Sequence, residues 1–113
     1  MNNHFHFEVR SDDRATVIAV RGELDLASAP ALEEALNRAG DAGGLVILDL
    51  RELEFMDSTG LGLLVRTNQR AAESGVRFAL VKGRQQVQRL LSLTGVGERL
   101  TVVDSPEELL GGN

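Results

Sequence analysis

Leu45-Val46-Ile47-Leu48-Asp49-Leu50 is nearly all apolar, which is the pattern of a central strand covered on both faces; a strand with one face in water alternates with polar residues. Just before it, Ala31, Leu32, Ala35, Leu36 and Ala39 recur at helical spacing. Ser28 ahead of Pro30 gives that helix its start, and Gly40, Gly43 and Gly44 give it its end. A helix leading into a buried strand points to a right-handed crossover in a parallel sheet.

Toward the N-terminus, Phe5, Phe7 and Val9 alternate with His6, Glu8 and Arg10, as in a half-buried strand. The polar run Ser11-Asp12-Asp13-Arg14 reads as a turn, and Thr16 to Val20 as a second strand. So short a connection makes the pair antiparallel, because a parallel pair needs a crossover of a dozen or more residues. Toward the C-terminus, Leu61, Leu64, Val65 and Ala72 again follow helical spacing, with Arg66, Gln69, Arg70 and Glu73 pointing elsewhere and Gly75 as the stop. Val76 to Val81 reads as a strand, Arg84 to Leu93 as a helix burying Val87, Leu90 and Leu91, and Leu100 to Val103 as a last strand. Ser105-Pro106-Glu107-Glu108 opens a final helical turn. The order predicts an α/β fold with a small mixed, mostly parallel sheet of four to five strands, an N-terminal antiparallel hairpin and about four helices. One domain over 1–113 is expected, with 110–113 as a frayed tail.

With 113 residues, 42% of them hydrophobic, the chain has the apolar material to bury about two-thirds of the surface its unfolded form exposes. Twelve Lys+Arg against seventeen Asp+Glu give a net charge of -5, the wrong sign for a protein held to phosphates, so nucleic acid is not an expected partner. The absence of cysteine excludes a thiolate nucleophile, a disulfide framework and a cysteine-ligated zinc site. The opening MNNHFHFEVR has no basic region followed by an apolar stretch, and no run approaches the ~20 apolar residues that span a bilayer. These features predict a soluble, cytoplasmic chain with no membrane partner.

The segment Phe55-Met56-Asp57-Ser58-Thr59-Gly60-Leu61-Gly62 places a carboxylate and two hydroxyls at a helix start, beyond the carboxyl end of a buried strand, where sites form in open α/β sheets. Asp57 or Ser58 in that position caps the helix, a contribution of about 1 kcal/mol. A serine between strand and helix also suggests the elbow G-x-S-x-G, but Met56 stands where its first glycine belongs. His4 and His6 both precede the serine, in the first strand, so the base that a hydrolase of this type places after its serine is missing. Two apart in a strand, His4 and His6 share a side, which makes at best a weak metal pair and more simply a solvated face. Gly60-x-Gly62 has Val65 where a dinucleotide fingerprint needs glycine, and no phosphate-binding G-x-x-x-x-G-K-[ST] occurs. Asp25, on the loop after the second strand, reads as a solvated turn carboxylate. No catalytic activity, cofactor or metal is expected.

Gly22-Glu23-Leu24-Asp25 and Met56-Asp57-Ser58-Thr59-Gly60-Leu61-Gly62 make the chain resemble a STAS domain, the fold of stand-alone bacterial anti-sigma factor antagonists, found also as the cytoplasmic tail of sulfate transporters. The resemblance implies phosphorylation of Ser58, with Thr59 as the second choice, by a partner that is both anti-sigma factor and ATP-binding serine kinase. It places Asp25 where the family's aspartate helps present the site, and Asp57, Ser58, Thr59, Gly60 and Leu61 with it in the partner-binding region. The implied mechanism is a partner switch: the unmodified protein docks the kinase and frees the sigma factor, phosphorylation ends docking, and a serine phosphatase restores it. The alternative keeps the fold but makes the chain a scaffold or accessory subunit of a signalling or lipid-transport complex.

Overall fold

The computed structural model describes residues 4–111. Strands β1 (His6–Ser11) and β2 (Thr16–Leu24) form the antiparallel hairpin. The run between them turns because the Asp12 carboxylate accepts the backbone N–H groups of Arg14 at 2.7 Å and Ala15 at 3.2 Å. On β2 the alternation is clean: Ile18, Val20 and Leu24 are buried while Ala19, Arg21 and Glu23 are exposed. β1 is one edge of the sheet, and there alternation buries less than expected: Phe5 and Phe7 are half-covered, but Val9 is exposed.

β3 runs Leu45–Met56, well past Leu50. Its first half pairs regularly with β2, up to Ala19 opposite Asp49, but the next partners are Arg21 with Glu52, then Gly22 with Leu53 and Glu23 with Phe55. At two points β3 therefore advances one residue more than its partner, a pair of bulges, which are uncommon between parallel strands. The inward positions Val46, Leu48, Leu50, Leu53 and Met56 record this directly, because their spacing changes from two to three where each bulge inserts its residue.

Helices α1 (Ala29–Ala42), α2 (Ser58–Ser74) and α3 (Gln85–Thr94) alternate with β4 (Arg77–Val81) and β5 (Thr101–Val103). The sheet order is β1-β2-β3-β4-β5, with all pairs from β2 to β5 parallel. Two departures from the sequence reading concern the helices, one a limit and one a buried face. Gly40 lies inside α1, which ends at Gly43 with φ +83°. Of the residues expected on the buried face of α2, Ala72 is exposed and Val65 half-buried, whereas Leu63 is fully buried. The helix count is also lower than expected: among the described residues there are three α-helices, and Val96–Arg99 and Pro106–Glu108 are short 3-10 turns.

Buried residues of all three helices share one cluster with Ile18, Val46, Leu48 and Leu80, so the helices cover one face of the sheet. Successive crossovers of one hand between neighbouring strands produce this arrangement. The opposite face carries the smaller cluster Ala15, Leu45, Ile47 and Val81, roofed by Leu109 and Leu110. Leu110 is thus packed rather than frayed, and the end of the expected tail, Gly112 and Asn113, lies outside the described residues. Asp49 is buried on this second face because Arg51 grips it from two nitrogens, Nε to Oδ1 at 3.0 Å and Nη2 to Oδ2 at 2.8 Å.

Candidate functional site

β2 and β3 finish side by side, Leu24 opposite Met56, and the chain then opens α1 and α2 from the same edge. The Asp57 N–H donates to the Leu24 carbonyl at 3.3 Å, which fixes the two loops against each other. Asp57 is the N-cap of α2: its backbone is extended and its Oδ1 accepts the Thr59 N–H at 2.9 Å. Ser58, the next residue, begins the helix; it is exposed, and its hydroxyl has no hydrogen-bond partner among the described residues.

Gly60 is buried because a Cβ there would sit 2.4 Å from Met56 Cγ and 3.1 Å from Leu24 Cδ2. The first turn of α2 therefore lies directly on the ends of the two strands, and Leu61 continues into the core. Gly62 meets no such constraint, since only the tip of Arg66 comes within 3.4 Å of its added Cβ. Of the six residues expected to meet a partner, Ser58 is exposed, Asp25, Asp57 and Thr59 are half-buried, and Gly60 and Leu61 face inward. The last two shape the turn that presents the others.

Asp25 is more than a solvated turn carboxylate. Its Oδ1 accepts the backbone N–H groups of Ala27 at 3.0 Å and Ser28 at 3.2 Å, an Asx turn that leads into α1. Ser28, the N-cap position of α1, caps nothing forward; its hydroxyl donates back to the Glu23 carbonyl at 2.9 Å and accepts the Asp25 N–H at 2.9 Å. On the other flank, Gln86 of α3 donates to the Glu54 carbonyl at 2.8 Å and Arg84 pairs with Glu52 at 3.3 Å, so the start of α3 is moored to the bulged half of β3.

Two apolar residues that the sequence reading passed over stand in water at this edge, Leu26 at 76% and Phe55 at 48% exposure. Phe55 lies opposite Glu23 in the ladder, and Leu26 is next to Asp25. The signal was a leucine inside a polar turn and a phenylalanine where the strand loses its alternation. His4 and His6 are both exposed.

Away from this edge, α1 and α2 are tied by Glu33, which accepts from Arg66 Nε and Nη2 and from Arg70 Nη2, all at 3.1 Å. The hydrogen bond from Arg66, reinforced by Arg70, holds the Glu33 carboxyl below the ordinary carboxylate range against the opposing effect of burial. Among the described residues no helix is long and apolar enough to cross a membrane.

Comparison with known proteins agrees with this architecture. An anti-sigma-B factor antagonist of Listeria monocytogenes is 30% identical over 114 residues, covering 100% of this chain and 99% of its own length. The crystal structure of an anti-sigma factor antagonist from Mycobacterium paratuberculosis matches with a TM-score of 0.86 at 26% identity, over 99% of this chain and 96% of that one. The Bacillus antagonist SpoIIAA, solved unphosphorylated and phosphorylated, shares the fold at 24% identity, with TM-scores of 0.76 and 0.69 over 91% of this chain and 91% and 95% of its own. The family model described as the STAS domain matches residues 6–109, the span that holds both loops at the carboxyl edge of the sheet, and the chain belongs to the STAS domain family.

Proposed function

We propose that this protein is an anti-sigma factor antagonist that works by binding rather than by turnover, and that Ser58 is its switch. The unmodified form docks an anti-sigma factor that is also a serine kinase and so releases a sigma factor; phosphorylation of Ser58 ends the docking and a serine phosphatase restores it. The observation that carries this reading is the state of Ser58: an exposed hydroxyl with no partner among the described residues, at the first position of a helix, on the edge where Asp25, Leu26 and Phe55 are also presented. Relatives named as anti-sigma factor antagonists, matched along most of the chain, support it.

A phosphate on Ser58 adds about -1.5 to -2 of charge where free N–H groups and the helix dipole favour an anion, so the fold tolerates it. The effect falls on docking. Pressed against a partner without matching cations, and with Asp57 adjacent, the added charge is desolvated and repelled. A hundredfold loss of affinity is only about 2.8 kcal/mol, within the several kcal/mol that an uncompensated buried charge costs, so switching requires no refolding.

The test immobilises Ser58→Ala and Ser58→Asp side by side in lysate of the source cell and compares retained proteins by quantitative mass spectrometry, with calorimetry on the purified partner. Selective retention of an ATP-binding kinase by the Ala form, and affinity at least tenfold weaker for the Asp form, is the expected result. Equal affinity for both forms sinks the switch.

A further inference from the structure

The two edges of the sheet differ. β5, at one edge, is three residues long, short enough to offer a neighbour little to pair with. β1, at the other, runs for six residues, His6–Ser11, in continuous register with β2 and without proline or bulge, and among the described residues β2 is its one strand partner. Backbone N–H and C=O groups therefore face outward along β1, the template on which a further strand pairs. Of the devices that close such an edge, bulge, proline and charge, only charge is present: Glu8 and Arg10, whose side chains are 74% and 83% exposed.

Charges of both signs at this spacing do not close the edge; they select a register. Two copies of one strand pair antiparallel about a two-fold axis perpendicular to the sheet, and that axis falls on a residue, because directly opposite side chains share a face. An axis on Glu8 sets Glu8 against its own copy, and an axis on Arg10 sets Arg10 against its own; like charges directly opposite are destabilising. An axis on Val9, between them, sets each Glu8 against the second copy's Arg10 and brings the two Val9 side chains together. Val9 is 51% exposed, on the side where it borders a groove with Phe7, Ala31, Ala35 and Ala39. The pairing continues that apolar floor into the second copy.

We propose that β1 is a homodimerisation edge: a second copy of this chain adds its own β1 antiparallel about Val9, and the two five-stranded sheets join into one. A contact between two short strands is smaller than a stable interface needs, so the dimer is weak, with a Kd on the order of 100 μM. The two-fold rotation turns the carboxyl ends of β2 and β3 in the two copies to opposite ends of the joined sheet, so both Ser58 edges stay open. Dimerisation does not depend on the partner switch, since no residue of the Ser58 edge takes part in it.

The test is sedimentation equilibrium of the full chain from about 10 μM to about 1 mM, a range that brackets that Kd. The mass of the natural protein is expected to rise with concentration from 12.2 kDa toward twice that value. Glu8→Arg and Arg10→Glu each set like charges opposite one another at both pairs and weaken the dimer about tenfold or more. Mixed in equal amounts, the two variants face each other with opposite signs at both pairs, so they form a heterodimer where each alone stays monomeric. Both side chains stand in water, and unchanged melting of each variant shows that the fold is kept. A natural protein that stays monomeric at about 1 mM overturns the proposal and leaves the edge to a strand of another protein. A dimer insensitive to the reversals, or variants that fail to associate when mixed, overturns it by assigning the contact to another face or register. Neither variant touches Ser58, so failure here leaves the phosphorylation switch intact, and equal docking by Ser58→Ala and Ser58→Asp leaves the dimer intact.

Discussion

Ser28 and Ser58 open neighbouring helices from the same edge of the sheet, and each follows an aspartate whose carboxylate is engaged by its own local backbone. They nevertheless end in opposite states. Ser28 is 4% exposed, and its hydroxyl both donates to Glu23 and accepts from Asp25. Ser58 is exposed with its hydroxyl free of partners among the described residues. Residue type and local turn chemistry are nearly the same; what differs is what the surrounding structure leaves over. The proposed switch therefore uses the hydroxyl that holds nothing together, whereas modifying Ser28 would dismantle the start of α1.

The comparison is broken most severely one residue before Glu23. Gly22 has φ +96°, and a Cβ there would stand 2.0 Å from the His4 carbonyl oxygen. Gly22→Ala combines left-handed strain with overpacking against backbone, each worth about 1–3 kcal/mol, so a loss of about 3 kcal/mol or more is expected in denaturant unfolding. A loss under about 1 kcal/mol would show that the β2 end, and the Ser28 anchor built on it, is looser than described.

The serines themselves give the next largest difference. Ser28→Ala leaves the Asp25 N–H without its hydroxyl acceptor in a partly buried turn and should cost about 1–3 kcal/mol, while Ser58→Ala should stay within about 0.5 kcal/mol and, on the proposed switch, lose all phosphate incorporation at that position. Equal costs in unfolding would erase the distinction. Asp57 sharpens it further: Asp57→Ala removes the cap of α2 and should cost about 1 kcal/mol, whereas Asp57→Asn, an equally good cap, should cost little.

Much of this was legible in the sequence because it rests on periodicity and on glycine. The unbroken apolar run Leu45–Leu50 placed the central strand, and the hairpin followed from the short link between β1 and β2. The helix start at Asp57 and Ser58 was legible from the residues themselves, and the proposal of Ser58 as the switch rests on the family resemblance. The second half of β3 was not, because each bulge resets the alternation that identifies a strand, and Leu53 and Met56 look out of phase until the pairing with β2 is known. Leu26 and Phe55 were missed for a related reason: their exposure depends on where two chain segments finish relative to each other. Leu110 is packed only because the last turn folds against the second face of the sheet, a matter of tertiary packing that no local pattern encodes.

The smallest expected effect tests whether the two helix starts are independent. Glu33 reaches from α1 to Arg66 and Arg70 of α2, and its folded carboxyl titrates below the ordinary value of 4.5. The folded state thus binds fewer protons here than the unfolded chain, so the contribution is complete above the ordinary carboxylate range and is lost as pH falls through the lowered folded value. Both arginines are about half exposed, so solvent screens the link and makes it weak and salt-sensitive. Glu33→Gln should therefore be slightly less stable than the natural protein at pH 7, converge with it as the solution is acidified below about pH 4, and converge also in 1 M salt. A gap that widens on acidification would contradict the assigned direction. Combined with Ser28→Ala, additivity within about 0.5 kcal/mol would mean that α1 is anchored separately at its start and along its length. A larger coupling would instead make the buried serine and the Glu33 tie one unit, leaving Ser58 as the part of this edge that can change without cost to the rest.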